Sequence, residues 1–255
     1  MNDNLYYAKT EYLDGRFQYA VKFCQYALAR DPDDFQAWIL MGKALMQLDD
    51  LTGTIDALEN ASLIEPLDKD SQLALALAYG QAGRNELSRD LLMTAATSGH
   101  VDAEILIRVA GGLDAINESR LAMGACRQAG QIAPENAEVH YQMSYYAARC
   151  GYPTSVTEGL IRKAIALQPN NIHYRIGLAS LLIRLGRKQE AVVTVSGHIP
   201  AQIEEVKCPC CLRRFANLFF DCDDIDRAKA CAAQLAEMRE AESEVGSPTT
   251  HEAIS

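Results

Sequence analysis

Residues 32–66 read PDDFQAWILMGKALMQLDDLTGTIDALENASLIEP. The stretch opens on Pro32 and closes on Pro66, 34 positions later. Inside it, Trp38, Met41, Gly42 and Leu45 lie before a turn residue, Asp49, and Thr54, Leu58 and Ala61 lie after it. The same spacing extends in both directions. Pro134 lies two periods beyond Pro66, with His100 in the skipped slot, and Pro169 follows one residue late. Ala27, Ala61, Ala95 and Ala129 recur every 34 residues, with Ala164 one residue late.

Three more columns share this register. One is small: Ala8, Gly42, Ala76, Ala110, Ser144, Ala179 and Ala216. Another reads Ala20, Thr54, Ser88, Ala122, then Ala191 and Ala228. A turn column reads Gly15, Asp49, Gly83, Asn117, Gly151, Gly186 and Asp223. A fixed period of this length marks a repeat protein built from stacked units, here seven. The extra residue of the fifth unit falls near Tyr152-Pro153, in a turn. Three more fall between Ala191 and Ala216, in an irregular connection at about 198–208 that carries Pro200.

Each unit reads as two helices. Leu73, Leu75, Ala76, Leu77 and Tyr79 mark the first helix of the third unit, and Gly83 stops it, because glycine tolerates the positive φ of a helix end. Leu87, Leu91, Leu92 and Ala95 then recur at helical spacing. Proline closes most units because it has no N–H to donate. The small columns are expected where two helices approach closely.

These residues resemble the tetratricopeptide repeat family, whose pattern runs aromatic, Leu-Gly, Tyr, Ala, aromatic, Ala, Pro. Trp38, Met41-Gly42, Leu45, Ala61 and Pro66 carry the resemblance most fully. Gly15, Phe17, Ala20, Ala27 and Pro32 follow in the first unit, and Ala76, Tyr79, Gly83 and Ala95 in the third. It spans about residues 1–237 and implies an all-α solenoid of about seven helix-turn-helix repeats in a right-handed superhelix. Residues 238–255, rich in Glu, Ser and Thr, read as a polar, disordered tail.

A solenoid binds partners along an extended concave surface, and the resemblance implies that the first helix of each pair lines it. The exposed stripe on those helices predicts Leu5, Lys9 and Tyr12, then Ile39, Lys43 and Met46, then Leu73 and Leu77, then Ile107 and Gly111. Tyr141, Tyr145 and Arg149 continue it, followed by Ile176, Ser180, Ile183 and Arg184. One subclass of the family clamps a C-terminal carboxylate with basic residues, but Leu5, Asp70 and Ala74 stand in those slots, which argues against a clamp. The stripe predicts an apolar groove for a partner's helix or extended segment. Tyr141, Tyr145, Arg149 and Arg184 supply the aromatic and arginine composition of hot spots. The plain alternative is that the aliphatic members are core between repeats, and that the lysines are simply solvated.

Cys24 and Cys126 share a column with Leu58 and Leu92 and read as core thiols; Cys150 and Cys222 precede turn residues. Lys207-Cys208-Pro209-Cys210-Cys211 carries a C-x-x-C spacing, which can put two thiolates on one zinc. Cys208, Cys211 and Cys231, with His198 upstream, form an irregular candidate zinc set, and a redox pair or incidental thiols are the alternatives. A zinc-binding or redox-sensing module is therefore the second functional reading. His140 and His173 stand near first-helix starts and read as surface histidines. Asp221, Asp223 and Asp224 read as solvated charges and a helix cap.

The 255 residues are 49% hydrophobic and 23% charged, as in an ordinary globular chain. A net charge of -10, without a basic patch, argues against nucleic acid. No apolar run spans a membrane or forms a signal core, so the chain is expected in the cytoplasm with reduced thiols. No zinc-protease, nucleophile-elbow, dinucleotide or phosphate-loop motif is present, so no enzyme is expected. The expected role is a protein-binding scaffold, with self-association through terminal units as a further reading. The last helix, with Ala228, Ala232 and Leu235 and a polar side, looks like a cap.

Overall fold

The computed structural model describes residues 3–196, 203, 206 and 209–245. Among them fourteen helices follow one another and no strand occurs. The first nine are α1 (Asp3–Leu13), α2 (Phe17–Arg30), α3 (Phe35–Gln47), α4 (Leu51–Ile64), α5 (Lys69–Gln81), α6 (Asn85–Thr97), α7 (Ala103–Ala115), α8 (Ser119–Ile132) and α9 (Ala137–Arg149). Then come α10 (Thr154–Leu167), α11 (Ile172–Arg184), α12 (Lys188–Ser196), α13 (Pro209–Asp221) and α14 (Ile225–Val245). The chain divides between Tyr152 and Pro153 into two compact units. The repeat columns run through that boundary without marking it.

In the first unit each helix packs on the next, from α1 to α9. The first helices of the pairs also touch one another, α1 with α3, α3 with α5, α5 with α7 and α7 with α9, whereas the second helices make no comparable contacts. A stack whose odd helices crowd together while its even helices spread is curved, with the odd helices inside. In the second unit α11 packs on α10, α12 and α13, and α13 packs on α14.

Every member of the turn column lies in the left-handed region: Gly15 at φ 74°, Asp49 at 57°, Gly83 at 75°, Asn117 at 65°, Gly151 at 75°, Gly186 at 74° and Asp223 at 61°. In each case the N–H of the following residue returns to a carbonyl five positions back, as from Arg84 to Tyr79 at 2.8 Å and from Asp224 to Phe219 at 2.8 Å. This is the Schellman closure, which satisfies a carbonyl that the helix end leaves open. Asp and Asn hold three of the slots because their short polar side chains tolerate this region best after glycine. One residue separates the column from the next helix in six units. In the fifth there are two, Tyr152 and Pro153, so the extra residue sits in the turn where the spacing places it.

The small columns mark the helix crossings. Ala8, Ala76, Ala110 and Ala179 are fully buried, as are Ala27, Ala61, Ala95, Ala129 and Ala164. Thr157 fills the slot between Ala122 and Ala191. At Gly42 an added Cβ would lie 2.7 Å from Leu58 Cγ on the facing helix, so even alanine overpacks this crossing, at about 1–3 kcal/mol.

Two further columns are chemical rather than steric. Asp34, Asp68, Asp102, Asn136 and Asn171 each cap the first helix of a pair, for example Asp68 Oδ1 accepting from Ser71 N at 2.7 Å. Two residues before each cap lies the proline slot, and its carbonyl takes a side-chain N–H from six residues on. Trp38 Nε1 donates to the Pro32 carbonyl at 2.8 Å, His140 Nε2 lies 2.7 Å from that of Pro134, and Arg175 Nε donates to that of Pro169 at 2.9 Å. In the third unit Gln72 Nε2 reaches Leu67 O, one residue along, at 2.8 Å. Where His100 replaces the proline, the donor slot holds Leu106, a buried aliphatic. His140 is thus a buried linker clasp rather than the surface histidine expected from sequence.

α14 continues to Val245, past the boundary at 237 assigned to the tail; the rest of that tail, 246–255, lies outside the described residues, as do His198, Pro200 and most of the connection at 198–208. Asp224 caps α14, accepting from Arg227 N at 3.2 Å.

Two stability measurements test this account. Gly83 has nothing within 4 Å of an added Cβ, so Gly83→Ala isolates the backbone cost. Urea unfolding followed by circular dichroism should show a loss of about 1–2 kcal/mol, with Gly83→Asn losing less; an unchanged Gly83→Ala would remove the turn from the account. Trp38→Phe keeps a six-membered aromatic ring and deletes the clasp with the pyrrole half of the indole, and should cost at least the hydrogen bond's share of about 0.5–1.5 kcal/mol. A neutral Trp38→Phe would reduce the clasp column to coincidence.

Candidate functional site

The predicted stripe separates into two groups. Ile39 is 7% exposed and sits in a cluster with Leu58, Leu75 and Tyr79, while Leu73 and Ile176 are at most 1% exposed. Ile39 and Ile176 are therefore corrected to core. Both side chains are buried, that of Ile39 against Leu58, Leu75 and Tyr79, and no partner can reach them. Leu5, Tyr12, Met46, Leu77, Ile107, Tyr141 and Ile183 are half-buried, and Lys9, Gly111, Tyr145, Ser180, Arg149 and Arg184 are exposed. The surface that remains is mixed rather than apolar. The stripe overestimates apolarity because its aliphatic members are the ones the packing consumes.

In the first unit the column Lys9, Lys43, Leu77, Gly111, Tyr145 runs across the five odd helices at equivalent positions. Lys43 faces Asp68 at 4.0 Å, with its side chain 31% exposed. Asp70, one of the residues that argued against a carboxylate clamp, is held by Arg108 of the next repeat, on α7, at 2.5 Å. At Gly111 the face has a gap: the residue is exposed and nothing lies within 4 Å of its missing Cβ.

Tyr145 is the best-defined feature of this face. It is 46% exposed, yet it is fixed from three sides. Its hydroxyl donates to Asp114 Oδ2 at 3.1 Å and accepts from Arg149 Nη1 at 3.2 Å. Its ring stands edge-on to Tyr146 at 5.1 Å, and the Arg149 guanidinium lies 5.7 Å from its centroid. Arg149 also reaches Asp114 Oδ1 and Ser119 Oγ, each at 3.0 Å. Ser119 in turn donates to Asp114 at 2.9 Å. The network ties the end of α7, the start of α8 and the end of α9. Asp114, its hub, carries no repeat signature and escapes sequence reading. Ile183 and Arg184 belong to the second unit, where they lie on the last turn of α11.

A separate recess lies within the first unit. Leu67, Leu75, Tyr79, Leu87 and Leu91 line an open recess of about 440 Å³ among α4, α5 and α6. The Tyr79 hydroxyl, pushed up to about 12 by burial and by its bond to Glu59, stays protonated and donates to that carboxylate at 2.7 Å.

The cysteines divide as their columns predict, with one exception. Cys24 and Cys126 are fully buried, and burial pushes both thiols up to about 12, so they are inert core residues. Cys150 donates to the Ser119 carbonyl at 3.4 Å. Cys231 is buried on α14, and burial raises its thiol too. Cys208 lies outside the described residues. Among the described residues the group with metal-ligand geometry is His173, Cys210 and Cys211, which does not include the Cys231 of the sequence expectation. His173, read from sequence as a surface residue, is the member of this group that spacing could not reveal, since it lies 37 positions before Cys210. No described helix is long and apolar enough to cross a membrane.

No family model and no curated protein matches the chain. Solved structures do. A tetratricopeptide repeat protein from Parabacteroides merdae superposes with a TM-score of 0.73 at 12% identity, over 95% of this chain and 96% of that one. PilF of Pseudomonas aeruginosa matches at 0.58 and 19% identity, over 85% of this chain and 99% of that one. YrrB, described as a TPR protein with an unusual peptide-binding site, matches at 0.52 and 12% identity, over 71% of this chain and 93% of that one. The helix order, the seven left-handed turns, the small columns and these likenesses lead to one conclusion: the chain has the tetratricopeptide-repeat fold.

Proposed function

We propose that the chain is a non-enzymatic adaptor, working in the cytoplasm, whose first unit holds a protein segment against the odd helices α1, α3, α5, α7 and α9. The observation that carries this reading is Tyr145, a half-exposed aromatic immobilised by Asp114, Arg149 and Tyr146. Exposed tyrosines usually keep their rotamer freedom. One whose orientation is already fixed loses little entropy on binding, which is the property of an anchor. Tyr141, one turn earlier on α9, extends the aromatic patch. Lys9 and Lys43 place two cations along the same column, so the segment that fits best combines an aromatic or aliphatic side chain near Tyr145 with acidic residues toward α1 and α3. The gap at Gly111 lets a main chain or a bulky side chain approach between them. Leu77 lies on this track, Met46 and Tyr12 flank it, and Ile183 and Arg184 are contact residues of the second unit.

Support also comes from the fold of YrrB, described as having a peptide-binding site. The acidic balance of the chain, -10, disfavours nucleic acid as the ligand.

Gly111→Arg gives a clean test. The substitution reaches into the track, its Cβ has nothing within 4 Å, and it replaces a glycine in a helix interior, so stability should hold or rise by up to about 1 kcal/mol. Peptides selected from a random displayed library on the wild-type protein should bind Gly111→Arg at least tenfold more weakly, by fluorescence polarisation. Undiminished binding to a well-folded Gly111→Arg would place the partner elsewhere.

A further inference from the structure

We propose that the second unit carries a site for a soft metal ion, zinc in the first place, formed by His173 at the start of α11 and by Cys210 and Cys211 at the start of α13. One donor atom from each of the three lies within 4.8 Å of the others. Cys211 Sγ lies 3.5 Å from Nδ1 and 3.5 Å from Nε2 of His173. Tetrahedral zinc, with Zn–S of about 2.3 Å and Zn–N of about 2.0 Å, holds sulfur and nitrogen ligands about 3.5 Å apart. The separation of this pair therefore already matches a shared ion. The equal distances leave neither nitrogen aimed ahead of the other, so a rotation of the ring presents one lone pair.

The repeat register supplies an independent observation. His173 and Cys210 occupy equivalent positions in successive units, since the small column steps by 37 from Ala179 to Ala216, as these two do. Earlier in the chain that position holds Gln36, Asp70, Glu104 and Glu138. A slot given to ordinary polar surface residues thus changes to imidazole and thiol in the two units where α11 packs on α13. Stacking brings equivalent slots of neighbouring units together, and here it unites ligands that the linear sequence separates.

Chemistry selects the ion. Two thiols and an imidazole suit zinc or copper(I) and disfavour magnesium and calcium, which take oxygen. Pro209 is the first residue of α13, so the two cysteines stand together in its first turn. Cys211 is buried at 2% exposure while Cys210 is exposed, which anchors the site on one side and leaves an entry on the other. Binding releases two thiol protons to solvent, and the two thiolates neutralise the dication, with His173 neutral. Affinity therefore falls as pH falls. A fourth position remains for water or another ligand.

The test uses the full chain, reduced and chelator-treated, titrated with cobalt(II) as a spectroscopic stand-in and then with zinc in competition. Wild type should take up one ion per chain, with the thiolate-to-cobalt charge-transfer band and the visible bands of a tetrahedral site. Cys210→Ser and His173→Gln, each checked for native circular dichroism, should weaken binding by roughly tenfold or more, and Cys24→Ala should bind as wild type. If buried Cys211→Ser unfolds, the other two variants still decide. Absence of the charge-transfer band in wild type would overturn the site. Binding that ignores His173→Gln would also overturn it, as would thiols that only form a disulfide in air and take up no metal.

Discussion

The close approach of helices at alanine is the constraint on which the rest of the structure depends. Ala8, Ala20, Ala27 and most of their equivalents, from Ala61 to Ala191, are buried to 0% because the helices pack closely there, and nothing larger fits without displacement. At Gly42 the Leu58 side chain takes the space that even a Cβ would need. Once the crossings are fixed, each pair must reverse direction within a few residues, which demands a left-handed residue at one place. The turn column meets that demand seven times. The linkers between pairs are then short enough for one proline carbonyl to be reached by a single side chain. The odd helices crowd, the stack bends, and a face made of equivalent positions faces inward. Function on such a scaffold is decided by what occupies those positions.

Much of the architecture is legible in the sequence because its steric requirements are nearly residue-specific. Only small residues fit a crossing, and only Gly, Asn or Asp sit comfortably at positive φ, so both columns repeat as letters. The clasp does not, since Trp38, Gln72, His140 and Arg175 share only an N–H at the right reach. Repetition of a hydrogen bond by unlike side chains is invisible to a search for like residues. The loss of the donor at Leu106, in the unit that also loses its proline, shows that the two slots work together. The division of the chain after Tyr152 is likewise silent in the columns, although the one-residue insertion sits at the same place.

The candidate face is less legible in the sequence, for a definable reason. A helical stripe identifies residues on one side of a helix but not how far a neighbouring unit covers that side. Ile39, Leu73 and Ile176 are buried, whereas Lys43, Gly111 and Tyr145, in the slot one turn after that of Ile39 and Leu73, keep part or most of their exposure. The inward surface is consequently less apolar than its sequence suggests and depends on a few placed groups. Tyr145 illustrates the principle: its position follows from the repeat, but its rigidity comes from Asp114, which no column contains. The thiols show the same division, with Cys24 and Cys126 assigned by register and His173 joined to Cys210 and Cys211 only by stacking.

The central claim is that partner recognition belongs to the inward face of the odd helices rather than to the recess lined by Tyr79, Leu87 and Leu91. Backbone NMR titration of the isotopically labelled chain with a selected peptide separates the two surfaces most directly. The account predicts that shift changes concentrate around Lys43, Leu77, Gly111 and Tyr145, with the even helices little affected. Changes centred on Leu87 and Leu91, with α9 silent, would contradict it.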